Sequence, residues 1–106
     1  MKKCYISGPI TGVENYLDNF DRFEKKVKAE LDCVVVNPAK VSAELPIETE
    51  YEEYMEMSIT MMKMCDAIYM MKGWKESRGA QFEHTYAKIL GLKIFYEEEK
   101  SNADNQ

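Results

Sequence analysis

Two hydrophobic rhythms alternate along this chain. Residues 2–7 ("KKCYIS") form a short β-prone run that stops at the Gly/Pro break "GPITG". From Asn15 to Leu31 the apolar positions Tyr16, Phe20, Phe23, Val27 and Leu31 recur at spacings of 4-3-4-4, which predicts a helix. "CVVVN" (33–37) is a β-branched strand stopped by Pro38, and residues 38–48, with prolines at 38 and 46, read as a loop. Tyr51 to Met64 is again helical, "DAIYMM" (66–71) is a third strand, 77–90 a third helix and "LKIFY" (92–96) a fourth strand. No segment repeats.

Strands separated by helix-length segments are the pattern of a parallel sheet with right-handed crossovers. The predicted fold is therefore α/β: a three-layer sandwich, flavodoxin- or Rossmann-like, with four to five mainly parallel strands and helices on both faces. Residues 1–97 make one domain, and the acidic, polar tail 98–106 is expected to be disordered. Such sheets bind ligands at the carboxyl ends of their strands. Here that edge comprises "SGPITG", "NPAK" and "KGWKES".

Charge narrows the class of ligand. A net charge of −5 and a pI near 4.9 argue against a nucleic-acid polymer, which needs clustered Lys and Arg. A mononucleotide needs no basic surface, because a helix N-terminus can hold one phosphate. Cys4, Cys33 and Cys65 lack metal-ligand spacing and sit in apolar sequence; they read as small buried hydrophobes of a reducing compartment. The single histidine, His84, rules out a His-rich metal site. With no apolar run of about 20 residues and no signal-like N-terminus, no membrane is expected and the cytoplasm is the expected location.

Within "GWKESRGAQFEHTYAKILG" (73–91) one residue contradicts the pattern. Wound at roughly 100° per residue, Ser77 to Gly91 puts Gly79, Ala80, Phe82, Glu83, Tyr86, Ala87, Ile89 and Leu90 in one half of the circumference. Glu83 is the only charged residue in that arc. Burying an isolated carboxylate costs several kcal/mol unless a partner offsets it. Glu83 can hydrogen-bond a neighbouring strand as a purely structural group. It also lies two turns into a helix whose start faces the ligand edge, with the small residues Gly79 and Ala80 leaving room above it. A carboxylate so placed can attack a sugar C1′ or balance an oxocarbenium ion.

Ser77 is a natural N-cap. Its hydroxyl and the free N–H groups after it would equally suit a phosphate, roughly 9 Å from Glu83 along the helix. That is about the span from a 5′-phosphate to C1′. "YISGPITG" allows close backbone approach to a ligand, and Tyr5 precedes it on the strand. In helix 51–64, Ser58 lies mid-stripe between Tyr54, Met61, Met62 and Cys65. Five methionines between 55 and 64 suggest adaptable core or a subunit interface, so a homo-oligomer joined through this helix is expected. Trp74 can stack on a base as a lid or anchor its own loop; both roles are open to it.

Together "YISGPITG" (5–12), "NPA" (37–39), "CD" (65–66), "GWKESRGAQFE" (73–83) and "AKILG" (87–91) resemble the nucleoside 2-deoxyribosyltransferase-like superfamily, most closely its short branch common in phage and prophage genomes. The resemblance runs in order over nearly the whole ordered chain. It implies that Glu83 is the nucleophile, forming a covalent deoxyribosyl ester that a second base or water resolves, and that Tyr5 orients it. It implies that Ser77 binds a 5′-phosphate, favouring a 2′-deoxynucleoside 5′-monophosphate over a free nucleoside. The expected substrate grip comprises Ser7, Gly8, Pro9, Ile10, Thr11 and Gly12 of the first turn, with Asn37, Ser58, Trp74, Ser77, Gly79 and Ala80. No metal or cofactor is required.

One position departs from the superfamily. Where its active members carry an Asp that assists base departure, eight residues before Asp66, this chain has Ser58. General-acid assistance is worth about 10²–10⁴-fold. Glu52, Glu53 and Glu56 fall on the polar side of that helix, and Asp66 begins strand three at the far end of the sheet. Three readings follow: an N-glycosidic enzyme acting on a deoxynucleotide, a nucleotide-binding sensor that keeps the pocket without turnover, or a structural interaction protein with a vestigial pocket.

Overall fold

The computed structural model describes residues 3–97; the tail 98–106, for which disorder is expected, lies outside them. Four strands form one parallel sheet: β1 (Lys3–Ser7), β2 (Val34–Val36), β3 (Ala67–Met70) and β4 (Lys93–Tyr96), in the order β2-β1-β3-β4. The chain leaves β1 for β2 on one side and returns to β3 on the other, so the direction of winding reverses between β1 and β3. In doubly wound sheets that reversal opens a crevice beyond the strands' carboxyl ends.

Because side chains alternate along a strand, β1 and β3 each serve two cores. Cys4, Ile6, Ala67 and Tyr69 face α1 (Tyr16–Leu31), whose inner stripe is Phe20, Phe23 and Val27. Tyr5, Ile68 and Met70 face the opposite way, toward Met62 of α3 (Tyr51–Lys63) and Ala80 and Ala87 of α4 (Arg78–Leu90). Ser7 follows Tyr5 on that second face, fully buried. Among the described residues no helix is long and apolar enough to cross a membrane.

The segment predicted as a loop at 38–48 contains a short helix, α2 (Pro38–Ala43). Its signal is in the sequence: Asn37 accepts a hydrogen bond from the Ala39 N–H at 3.0 Å, and Pro38 occupies the first helical position, where its missing N–H costs nothing. Reading the proline only as a strand stop conceals its value as a helix start. The α4 helix is bounded as its residues dictate. Ser77 caps its start by accepting from the Ala80 N–H, and Gly91 ends it in the left-handed region at φ 77°. Its inner face is narrower than the helical wheel suggests, since Ile89 is 70% exposed and Phe82 lies at the surface. Gly8 ends β1 where no side chain fits: a Cβ there would lie 2.8 Å from Cβ of Met71.

Candidate active site

A cavity of about 580 Å³ opens at the carboxyl edge of the sheet. Its walls come from four places: the turn after β1 (Gly8 to Thr11), α1 and α2 (Tyr16, Phe20, Pro38, Ser42), the start of α3 (Tyr51, Tyr54, Met55, Ser58) and residues 76–80 with Glu83. Glu83 reaches this space from α4 and is only 7% exposed. Its charge is met by hydroxyls from β1. Tyr5 Oη donates to Glu83 Oε2 at 2.7 Å, and Ser7 Oγ donates to Oε1 at 2.5 Å. The two donors are adjacent on one strand face because they are two residues apart, so both carboxylate oxygens are held from the same side.

Burial dominates the electrostatics and raises the Glu83 pKa above its ordinary value, while Ser7, Tyr5 and the Ser58 hydroxyl pull in the opposite direction. Tyr5 is pushed well above the usual phenol range by burial first and by the Glu83 charge second. It stays a donor at any physiological pH. Ser58, 5% exposed on α3, thus belongs to the group of hydroxyls around Glu83 as well as to the cavity wall. The arrangement is a carboxylate fixed by hydroxyl donors at a cavity wall, which suits a nucleophile or an electrostatic stabiliser more than a proton shuttle.

The other residues singled out by sequence divide into those that reach the cavity and those that do not. Gly8, Pro9, Ile10, Thr11, Ser58, Ser77, Gly79 and Ala80 line it. Ser7 is outside the lining, fully buried and bonded to Glu83. Gly12 is an exposed turn residue at φ 79° outside the lining. Asn37 is outside it as well: its side chain caps α2 and donates to Glu24 Oε1 at 3.0 Å, a partnership between α1 and α2. Trp74 does not line the cavity either. Its ring lies on that of His84, centroids 4.2 Å apart, with Tyr96 beyond. His84 Nε2 and Tyr96 Oη are 2.8 Å apart, so the loop "KGWKE" is anchored to α4 and β4 by a cluster of tilted rings. Asp66 sits at the amino-terminal end of the sheet, accepting from the Lys3 N–H at 3.1 Å.

Sequence reasoning missed the aromatic walls and one cation. Tyr51, Tyr54, Met55 and Ser58 are spaced i, i+3, i+4, i+7, the signature of a single helix face, and that face turns out to be the cavity side. Pro38 and Ser42, one turn apart on α2, could be placed only once α2 was known to exist. Arg78 lines the cavity beside Ser77, with its guanidinium 4.8 Å from the centroid of the Tyr51 ring. The cysteines are free; burial raises Cys4 to about 12 and Cys65 to about 11, which leaves both as unreactive thiols.

A single parallel sheet wound 2-1-3-4, with its crevice at the β1/β3 reversal, defines the doubly wound α/β class. Residues 2–96 match the family described as "Domain of unknown function (DUF4406)", and the chain belongs to that family. No curated protein sequence matches it. Among solved structures it is similar to a 2-desoxiribosyltransferase from Leishmania mexicana, with TM-score 0.66 and 25% identity over 91% of this chain. It is also similar in fold to a 2-deoxyribosyltransferase from the psychrotolerant bacterium Bacillus psychrosaccharolyticus, with TM-score 0.67 and 16% identity over 98% of this chain and 91% of that one. The chain spans 63% of the length of the Leishmania protein.

Proposed function

We propose that this protein cleaves or transfers the N-glycosidic bond of a 2′-deoxynucleoside 5′-monophosphate, with Glu83 as nucleophile. The observation that carries the reading is the buried Glu83 carboxylate, held by Tyr5 and Ser7 at the wall of a cavity with room for a nucleotide. The likeness to solved deoxyribosyltransferases supports glycosyl transfer as the chemistry. Ser77, at the start of α4 on the same cavity, supports a phosphorylated substrate.

In the first step a Glu83 oxygen bonds to C1′ as the C1′–N bond breaks. The bonding pair leaves with the base nitrogen, which takes up a proton from solvent. In the second step water or another base attacks C1′, the ester bond breaks and the carboxylate is regenerated, so configuration is retained through two displacements. Tyr5 and Ser7 hold the carboxylate in line and stabilise it whenever it is free. The working unit in this proposal is a homo-oligomer joined through α3.

Time-resolved release of free base from a panel of deoxynucleoside monophosphates, with intact-protein mass recorded in parallel, tests the mechanism. Wild type is expected to release base and to show a deoxyribosyl-phosphate adduct; Glu83→Gln is expected to lose release by at least about 10³-fold, as loss of a nucleophile demands. Equal rates for the two proteins would sink the assignment. One observation favours a second reading: the cavity wall offers Ser58 where departure of the base calls for an acid, which suits a nucleotide-binding sensor. Melting shifts with nucleotides, without base release at long times, would select that reading.

A further inference from the structure

Among the described residues that line the cavity, Arg78 is the only Lys, Arg or His, and it stands there with two carboxylates, Glu76 and Glu83. The whole chain carries a net charge of −5. An anionic ligand therefore enters against the local and the global charge, and only one side chain in the lining can offset it. Arg78 makes no ion pair among the described residues. Its guanidinium instead rests 4.8 Å from the centroid of the Tyr51 ring, which belongs to a different helix and lines the same cavity. Arg78 opens α4 and Tyr51 opens α3, so the contact bridges two helix starts beside Ser77.

We propose that Arg78, held in place by Tyr51, is the specificity-determining residue that makes this site select phosphorylated over neutral nucleosides. This rests on the nucleotide reading above for the ligand, and not on turnover. A cation parked on an aromatic face keeps its five N–H donors largely unspent, and a phosphate oxygen is a better partner for them than a ring. The planar guanidinium can take two phosphate oxygens at once while Tyr51 still bounds its other face. Tyr51 acts through Arg78: it reduces the rotamer freedom that a long exposed side chain would otherwise lose on binding.

The test is calorimetric and uses the Glu83→Gln background, in which no substrate is consumed. Matched pairs of deoxynucleoside and deoxynucleoside 5′-monophosphate are titrated into that protein and into its Arg78→Gln, Arg78→Lys and Tyr51→Leu derivatives. Arg78→Gln is expected to cut the preference for the monophosphate by about 10- to 100-fold while leaving nucleoside affinity within about threefold. Arg78→Lys should restore part of the preference, since a point charge replaces a fork. Tyr51→Leu should reduce the preference less, and should change nothing further once Arg78 is Gln. An unchanged preference in Arg78→Gln overturns the assignment, and so does a parent protein that binds neither ligand. Additive effects of the two substitutions overturn the role given to Tyr51. Base release by wild type is scored separately, so a catalytically silent protein whose nucleotide preference needs Arg78 would defeat the glycosidic reading and leave this one standing.

Discussion

Glu83 is the residue on which the site turns, and its burial has consequences that pH exposes. Burial raises its pKa above the ordinary 4.5, so over the window from 4.5 up to the folded-state value the native protein binds a proton that the unfolded chain has lost. The contribution of Glu83 to native stability therefore falls as pH rises through that window and is constant above it. Glu83→Gln has no such group. Urea midpoints of the two proteins between pH 4 and 8 should show wild type losing ground to Glu83→Gln as pH rises from 4.5, then holding a constant difference; parallel curves would show that burial is not acting on the carboxylate. For turnover the same shift has the opposite sense. In the proposed mechanism Glu83 must be ionised to attack, so the acid limb of kcat/KM should lie above pH 4.5, and Ser58→Ala, which removes a hydroxyl that lowers the Glu83 pKa, should move it further up. A limb that stays in place in Ser58→Ala would remove Ser58 from the group around the carboxylate.

At the scale of elements, most boundaries follow from local chemistry, and one of them can be improved. Helix α1 ends at Asp32, which lies in the left-handed region at φ 52° while its N–H bonds the carbonyl of Lys28 at 2.9 Å. Only glycine takes that conformation without cost. Asp32 is exposed, so its side chain surrenders no burial when removed. Asp32→Gly should stabilise the fold by about 0.5–1 kcal/mol, read as a higher urea midpoint at an unchanged slope. A lower midpoint would mean that the aspartate itself secures the cap. The Ser77 cap of α4 was legible because it lies at the boundary it sets. The helix α2 was legible in principle, from Asn37 and Pro38, but six residues give too little periodicity to outweigh a proline read as a break.

At the scale of the whole molecule, the methionines of helix 51–64 divide by environment. Met62 is in the core and Met55 lines the cavity. Met57 and Met61 border a second groove with Val41 and Leu45, and Met64 is 52% exposed. This groove, whose apolar side chains alternate with Thr49, Glu53, Glu56 and Thr60, is the surface through which the proposed oligomer would form. Sedimentation equilibrium should give a mass above the 12.4 kDa of one chain, and Met57→Lys should shift the protein toward monomer with its fold intact. A monomer at all micromolar concentrations would end the proposal and confine the site to residues of a single chain.

What the sequence determined by itself is whatever depends on neighbours along the chain. The alternation in "CYIS" committed Tyr5 and Ser7 to one face and Cys4 and Ile6 to the other, and the period of 77–90 put Glu83 on the inner side of its helix. The four strands, the three long helices and their parallel winding follow from the same local rules. Tertiary structure alone decided which of those groups meet. The pairing of Tyr5 and Ser7 with Glu83 spans 78 and 76 residues, and no local period specifies it; it exists because β1 is central in the sheet and α4 packs across it. The same holds for Asn37 and Trp74, which stand in motifs beside the ligand edge but outside the cavity lining, in contact with Glu24 and His84. The bridge from Arg78 to Tyr51 joins the starts of two helices that only the fold brings together.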